Sequence, residues 1–423
     1  MEEVKRIPYG VSNFVEVVEQ NQYYVDKTMY LPLLEKQPSN LFFIRPRRFG
    51  KSIFLRMLRT YYDIAQKEKF EKRFSNLWIG SRPTQLQGTF QILFLDFSRV
   101  GGLDRTLAEN FDDYCCGGLD DFASIYEPYY YPGFEEEMKA QYGTTNKLNF
   151  LDRKARNNGS KLYLIVDEYD NFTNVVLNEQ GDKVYHALTH ASGFYREIFK
   201  KFKGMFERIF MTGVSPVTLD DLTSGFNIGW NISTDHQFNM MLGFSETDVR
   251  EMIQYYKDAG QLPGNTNIDA MIEEMRPWYD NYCFAEESLE RDPKMFNCDM
   301  VFYYLRHYMT LGKSPKEMID PNTRTDYNKM KKLIRLDKLD GNRKGVLRKI
   351  TEDGQIVTTL TTTFPATDIT KPEIFPSLLF YYGMLTITAT RGNYLVLSIP
   401  NNNVRKQYYE FLLEEYQDNR HIN

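Results

Sequence analysis

The sequence predicts an α/β fold with a mainly parallel sheet, and three observations lead to this prediction. Four short apolar runs occur far apart along the chain, at residues 41–44, 91–97, 162–166 and 208–213. Continuous apolar runs of this length are typical of strands that are buried on both faces. Each run is separated from the next by enough residues for a crossover helix, and strands that alternate with helices form parallel sheets.

The composition is that of an ordinary folded protein. The 423 residues are 42% hydrophobic and 26% charged, which excludes wholesale disorder and suggests two or three domains. No apolar run approaches the roughly 18 residues of a membrane span, so we expect no membrane partner. The four cysteines are too few for a disulfide scaffold, and the first residues lack the apolar centre of a signal peptide. We therefore expect a cytoplasmic protein.

A glycine, a lysine and a serine follow the first apolar run and open a helical pattern. They end the segment 45–52, which reads Arg-Pro-Arg-Arg-Phe-Gly-Lys-Ser. In such a loop, backbone N–H groups surround phosphate oxygens, the lysine contacts the β/γ-phosphates and the hydroxyl binds Mg²⁺. The N-terminus of the following helix adds a dipole that favours an anion. The predicted nucleotide-binding residues are Arg47, Arg48, Phe49, Gly50, Lys51, Ser52 and Ile53.

One feature of this segment weakens the match. Position 45 holds an arginine where the phosphate-binding pattern has a glycine, which would permit tight backbone curvature. Gly-Lys-Ser alone is a short string that also occurs by chance in unrelated proteins. Arg47 and Arg48 in turn add positive charge that favours a bound anion.

Acidic residues follow the third apolar run. Asp167 ends this run and Glu168 comes next, at the strand end where ligands of open α/β sheets bind. We predict that Ser52 and Asp167 bind Mg²⁺ and that Glu168 is the general base for the attacking water. An acidic pair can also simply end a strand at the surface. The loop and the acidic pair, in this order, together favour nucleotide binding.

A hydroxyl residue, Thr212, lies near the end of the fourth run. It is a candidate contact for the γ-phosphate or the attacking water. The alternative has nearly equal weight: the strand is followed by a glycine turn, and the hydroxyl contacts no ligand.

These segments together resemble the bacterial AAA-ATPase-like family. The motifs that carry the resemblance are residues 24–28, 45–52, 94–98, 165–170 and 212–215, with further matches at 243–245, 278–282 and 380–386. Within that family an arginine is usual at the position of Arg45. The resemblance implies the ASCE division of P-loop NTPases, which use ATP and Mg²⁺. It also implies a core with a helical lid and often a winged helix.

The chain divides into three predicted domains. These are a P-loop ATPase core over residues 1–235, a helical lid over 236–327 and a winged-helix-like domain over 328–423. Ser245 and Asp248 predict a capping box at the start of a lid helix. The turn at Gly392, between two alternating apolar runs, predicts a β-hairpin in the last domain.

Two other activities, DNA cleavage and DNA binding, have weaker support in the sequence. Many members of the family continue into a PD-(D/E)XK nuclease-like domain, but this chain ends at Asn423, near where that domain would begin. We therefore expect no nuclease activity. DNA contact through the C-terminal domain is an alternative, although Asp337 and Asp340 interrupt the basic cluster that would make it. That cluster consists of Lys329, Lys331, Lys332, Arg335, Lys338, Arg343, Lys344, Arg348 and Lys349.

We expect a Mg²⁺-dependent ATP-binding protein that is a slow ATPase, with Lys51, Glu168 and Thr212 as its catalytic residues. The alternatives are a nucleotide-dependent switch without significant turnover and a DNA-binding component of a nuclease-associated system. The net charge of −5 counts against DNA as the main ligand. The sequence assigns no arginine finger and no oligomeric interface, although an oligomer is possible.

Overall fold

The computed structural model describes residues 3–100, 106–170, 193–216, 229–323, 343–364, 371 and 373–420. A five-stranded parallel sheet has the strand order β2-β3-β4-β1-β5. Its strands are β1 (Asn40–Ile44), β2 (Gln91–Asp96), β3 (Leu162–Asp167), β4 (Arg208–Gly213) and β5 (Trp230–Asn231). The predicted α/β fold is confirmed, and each of the four apolar runs forms a strand. The short β5 was not predicted.

Helices cover the sheet and explain why its strands are apolar throughout. Every residue of β1 and of β3 is buried, which requires cover on both faces. The helices of this part are α1 (Phe14–Glu19), α2 (Leu31–Glu35), α3 (Lys51–Tyr62), α4 (Phe70–Phe74), α5 (Leu107–Tyr126), α6 (Phe134–Lys139), α7 (Gly143–Asn158) and α8 (Phe194–Met205). Among the residues described, no helix is long and apolar enough to cross a bilayer.

Tyrosine hydroxyls from α5 cover the edge strand β2. The Tyr126 hydroxyl accepts the amide of Ile92 at 2.9 Å and donates to the Asp63 carboxylate at 2.8 Å. The Tyr114 hydroxyl accepts the amide of Asp96 at 2.7 Å. Unpaired N–H groups at a sheet edge invite pairing with another chain. These bonds therefore give two N–H groups of the edge strand an acceptor within the molecule.

Three helices form the lid and share a separate apolar core. They are α9 (Glu246–Asp258), α10 (Ile268–Tyr279) and α11 (Cys298–Leu311). The α9 helix begins with the capping box expected from the sequence. The Ser245 hydroxyl accepts the Asp248 amide at 3.1 Å, and the Asp248 carboxylate accepts the Ser245 amide at 2.8 Å.

The C-terminal part packs its apolar side chains into the same core as the parallel sheet. Its elements are α12 (Arg343–Asp353), β6 (Gln355–Thr358), α13 (Phe375–Tyr381), β7 (Thr386–Arg391), β8 (Tyr394–Ser398) and α14 (Asn402–Arg420). The strands form an antiparallel sheet of order β6-β8-β7. The predicted hairpin is thus confirmed, while the winged-helix assignment and the three domain ranges stay predictions.

The Tyr126 hydroxyl provides a test of the edge cover. We expect Tyr126→Phe to lower the free energy of unfolding by about 1–3 kcal/mol, because the buried Ile92 amide loses its acceptor and the Asp63 carboxylate loses one of its two donors. Urea unfolding followed by circular dichroism measures this change. The control is Tyr142→Phe at a side chain that is 91% exposed, where we expect no measurable effect. Equal stability of the two variants would contradict the role of the hydroxyl.

Candidate functional site

The predicted phosphate-binding loop, residues 45–50, lies between β1 and α3 and borders an open cleft of about 960 Å³. Two of its residues have left-handed backbone conformations, Arg48 with φ of 66° and Gly50 with φ of 86°. Glycine adopts this conformation at little cost, and Gly50 uses it to begin α3. The cleft is lined by loop residues, by the first turn of α3, by Glu168 and by Asp299 of the lid.

Lys51 is the buried cation of the cleft. Its Nζ donates to the carbonyl oxygens of Arg45 and Pro46, each at 2.9 Å. Burial lowers the pKa of this ammonium, and the carboxylates of Glu168, Asp167 and Asp170 oppose that shift. The lysine is therefore held over the loop by two of the loop's own carbonyl oxygens.

The two predicted metal ligands are in contact. The Ser52 hydroxyl hydrogen-bonds the buried carboxylate of Asp167. Burial raises the pKa of Asp167 to about 6, while the Ser52 bond and the charge of Lys51 oppose the rise. A hydroxyl and a carboxylate are hard oxygen ligands of the kind Mg²⁺ takes. This donor set fits the ion.

The predicted general base, Glu168, lies in the same cleft. Its backbone is left-handed, with φ of 48°, and its amide donates to the Asp167 carboxylate at 2.9 Å. Such a conformation costs a non-glycine residue about 1 kcal/mol or more and is found most often at functional sites. The turn brings the Glu168 side chain to the cleft wall beside Lys51 and Ser52.

Thr212 takes a different position from the one the sequence suggested. It is buried in β4, opposite Phe43 of β1, and its hydroxyl donates to the Phe43 carbonyl at 2.5 Å. The side chain is not among those that line the cleft. In this structure the hydroxyl bonds β4 to β1, and the role of Thr212 at a γ-phosphate stays a prediction.

Asp170 was missed as a site residue. Its buried carboxylate accepts the amides of Val214, at 3.1 and 3.2 Å, and Ser215, at 2.8 Å, just after β4. A Cβ on Gly213 would lie 2.3 Å from its Oδ1, so only glycine fits there. The carboxylate thus fixes the turn after β3 against the end of β4. The signal in the sequence that could have identified it is an aspartate three residues after Asp167.

Arg45 faces away from the cleft into the core. Its side chain is 1% exposed, and Nη1 donates to the carbonyls of Ile44 at 2.9 Å and Ser233 at 2.7 Å. Nη2 donates to the Phe238 carbonyl at 3.0 Å. The guanidinium carbon lies 4.2 Å from the ring centroid of Phe43 and 4.1 Å from that of Phe284. The arginine that weakened the sequence match is therefore a structural anchor of the loop.

Two segments far along the chain hold the rest of the loop. The Phe49 ring meets those of Tyr282 and Phe284 edge-on, at centroid distances of 4.9 and 5.5 Å. Gly383, just after α13, lies against Pro46, because a Cβ built on it would be 2.8 Å from the proline ring. We call the contacts of Arg45, Pro46 and Phe49 with residues 282–284 and 383 the loop clamp. Tyr282 and Gly383 lie in two of the regions that carry the family resemblance.

An apolar pocket lies beside the cleft. The lead-in contributes Tyr24 and Val25, and the lid contributes Phe244 and Phe302. Lys27 also lines this pocket, and its Nζ donates to the Asp248 carboxylate at 2.9 Å. Of the two predicted loop residues that remain, Ile53 borders both spaces and Arg47 borders the cleft.

The basic cluster is only partly described. Lys329, Lys331, Lys332, Arg335 and Lys338 lie outside the described residues, as does the Lys344 side chain. Arg343 was wrongly counted as a surface cation, because it is fully buried with its guanidinium 5.0 Å from the Phe375 ring centroid. Arg348 and Lys349 are exposed.

Residues 8–223, about half of the chain, match the family model described as Predicted AAA-ATPase (AAA-ATPase_like). The chain belongs to the AAA-ATPase-like family. A curated relative is the "Uncharacterized protein in vnfD 5'region" of Azotobacter chroococcum mcd 1, which is 27% identical over 290 residues. The match covers 67% of this chain and 50% of the relative, so the chain spans about half the length of that protein.

Solved structures of three archaeal proteins also align with this family member. They are Cdc6p of Pyrobaculum aerophilum, with 12% identity and a TM-score of 0.32, and the Aeropyrum pernix ORC2 protein in ADPNP–ADP complexes, with 10% and 0.37. The third is the Aeropyrum pernix ORC1 protein in complex with DNA, with 11% and 0.31. The alignments cover 92% of this chain and 92%, 93% and 91% of the respective structures. Similarity at these TM-scores supports no conclusion about ligands.

Gly383 tests the loop clamp. We expect Gly383→Ala to lower the free energy of unfolding by about 1–3 kcal/mol more than Gly392→Ala, because its new Cβ would overlap the Pro46 ring. Both glycines have positive φ, 76° and 60°, so both variants carry backbone strain, but a Cβ at Gly392 would have nothing within 4 Å. Denaturant unfolding of the two variants measures the difference. Equal losses would show that Pro46 does not press on position 383.

Proposed function

We propose that this AAA-ATPase-like chain is a Mg²⁺-dependent ATPase with slow turnover. The observation that carries the proposal is the meeting of Lys51, Ser52 and Glu168 at one cleft beside an apolar pocket, with the buried Asp167 bonded to Ser52. These are the side chains that phosphoryl transfer from ATP to water requires. Family membership supports the same reading.

The phosphates bind in the cleft. Lys51 exchanges the carbonyls of Arg45 and Pro46 for β- and γ-phosphate oxygens, and Arg47 adds positive charge at the wall. The N-terminus of α3 favours the same negative charge. The base enters the apolar pocket between the lead-in and the lid. The charged phosphates thus lie in the polar cleft, and the base lies in the apolar pocket.

Ser52 and Asp167 are the residues that would hold Mg²⁺, which when bound neutralises charge on the β- and γ-phosphates. Glu168 orients the attacking water and accepts its proton at the side-chain carboxylate. Its backbone turn, fixed through the neighbouring Asp170, holds the carboxylate at the cleft wall. The chain therefore needs no movement of β3 to present its base.

We expect slow turnover because of the bonds that Arg48 makes in the cleft. Arg48 is bonded to the Asn322 carbonyl at 2.8 Å and to the Asp299 carboxylate at 3.5 Å. An arginine placed on the transferring phosphoryl group is worth about 10³- to 10⁵-fold in rate. Until Arg48 or a neighbouring subunit provides that contact, we expect the chain to hydrolyse ATP slowly.

A nucleotide-dependent switch is the second candidate, and the loop clamp favours it. Because Pro46 touches Gly383 and Arg45 is held by Phe284, a shift of the loop on binding must move C-terminal residues or strain them. The switch predicts binding without measurable hydrolysis. Turnover of the intact chain distinguishes the two candidates.

Lys51 provides the binding test. We expect Lys51→Ala to weaken Mg²⁺–ATP binding by about 10- to 100-fold, because a charged hydrogen bond to phosphate is lost. Isothermal titration calorimetry measures the affinity, and Lys51→Met is a second variant that keeps the side-chain volume. The control is Lys72→Ala on the surface, where the side chain is 65% exposed. If the unaltered chain fails to bind ATP at millimolar concentration, the proposed function is wrong.

Glu168 provides the turnover test. We expect Glu168→Gln to lower kcat by about 10²- to 10⁴-fold, since an amide cannot accept the proton, with ATP affinity changed by less than about threefold. Phosphate release at saturating ATP measures the rate, with Glu273→Gln on the exposed face of α10 as the control. Unchanged kcat in Glu168→Gln would remove the residue from the mechanism. Absence of turnover in the unaltered chain that still binds ATP would favour the switch.

A further inference from the structure

The cleft and the apolar pocket share part of their lining, which we call the junction. Among the described residues, the four that border both spaces are Val11, Gly50, Ile53 and Asp299. Asp299 is the one polar side chain of these four. A ligand that extends from one space into the other therefore passes a single carboxylate.

In a nucleotide, the group between base and phosphates is the sugar. With the base in the apolar pocket and the phosphates against Lys51, the sugar comes to the junction. The 2′- and 3′-hydroxyls of ribose are hydrogen-bond donors, and a carboxylate is a strong acceptor for such hydroxyls. The apolar side chains of Val11 and Ile53 offer these hydroxyls no acceptor.

We propose that Asp299 accepts hydrogen bonds from the ribose hydroxyls and makes the site selective for ribonucleotides over deoxyribonucleotides. This inference rests on the proposed nucleotide site. It adds a specificity-determining residue in the lid, 247 positions from Ser52, to a site otherwise built by the loop and β3.

The position of Asp299 is fixed relative to the loop. Asp299 lies in the first turn of α11, whose cap residue Asn297 accepts the Met300 amide at 3.4 Å. The Asn297 amide group also donates to the Arg47 carbonyl at 3.4 Å. The start of the helix is thus bonded to the phosphate-binding loop itself, which holds the carboxylate at a constant distance from the phosphates.

The ion pair of Asp299 with Arg48 is compatible with this role. The Arg48 Nη1 and Asp299 Oδ2 atoms are 3.5 Å apart, and the two side chains are 23% and 30% exposed. Such a pair is long and screened by water, so it separates at little cost. When a nucleotide enters, the ribose hydroxyls take the place of Arg48 at Asp299, and Arg48 keeps its bond to the Asn322 carbonyl. The competing explanation is that Asp299 serves only as the ion-pair partner of Arg48.

Binding of ADP, 2′-deoxyADP and 2′,3′-dideoxyADP tests the proposal without interference from hydrolysis. Isothermal titration calorimetry is carried out with Mg²⁺ on the full chain. We expect the unaltered protein to bind ADP about 10- to 100-fold more tightly than 2′,3′-dideoxyADP, the value of a hydroxyl bond to a charged acceptor. In Asp299→Ala this ratio falls below about threefold, because ADP binding weakens while dideoxyADP binding does not.

Two further variants separate sugar recognition from the ion pair. Arg48→Ala breaks the same pair but leaves the carboxylate, so we expect weaker binding of all three nucleotides at an unchanged ratio. Asp299→Asn keeps an acceptor oxygen without its charge, and we expect an intermediate ratio. An unaltered protein that binds ADP and dideoxyADP equally would overturn the ribose assignment alone. Loss of the ratio in Arg48→Ala would also overturn it, and a chain that binds no nucleotide would refute the proposed function with it.

Discussion

The buried guanidinium of Arg45 is the constraint on which the loop and its surroundings depend. A cation in an apolar core must have acceptors, because an unpaired buried charge is far more costly than an unpaired polar group. Arg45 takes carbonyls from the end of β1 and from residues 233 and 238, and it packs on the Phe284 ring. Its side chain therefore fixes where the loop leaves β1 and which segments must surround it.

The loop clamp gives the site an unusual connection to the rest of the chain. Residues 282–284 contact the loop through Phe49, and the amide of Cys283 donates to the Thr386 hydroxyl of β7 at 2.8 Å. The Thr386 hydroxyl donates in turn to the Cys283 carbonyl at 3.2 Å. The same short segment thus bonds the C-terminal sheet on one side and the phosphate-binding loop on the other. The phosphate-binding loop and the C-terminal sheet are therefore joined through this segment.

The sequence predicted the features that depend on local pattern. Four strands, the capping box at Ser245 and the hairpin at Gly392 follow from periodicity and turn chemistry, and Ser52 and Asp167 meet because parallel strands end at one edge. Other features depend on contacts that no local pattern contains. In a strand buried on both faces, the pattern does not tell which way the Thr212 hydroxyl points, and β5 is only two residues long. Arg45, Gly383 and Asp299 act through partners far away in sequence.

Under the proposed function, Lys51 leaves the loop carbonyls for phosphate when nucleotide binds, while Arg45 stays in place. A crystal structure of the full chain with Mg²⁺ and a nonhydrolysable ATP analogue tests this claim most directly. We expect the β- and γ-phosphates within hydrogen-bond distance of Lys51 Nζ, the ion between Ser52 and Asp167, and the bonds of Arg45 to the carbonyls of Ser233 and Phe238 unchanged. Nucleotide bound elsewhere, or Lys51 still bonded to the carbonyls of Arg45 and Pro46 beside bound phosphates, would contradict the account.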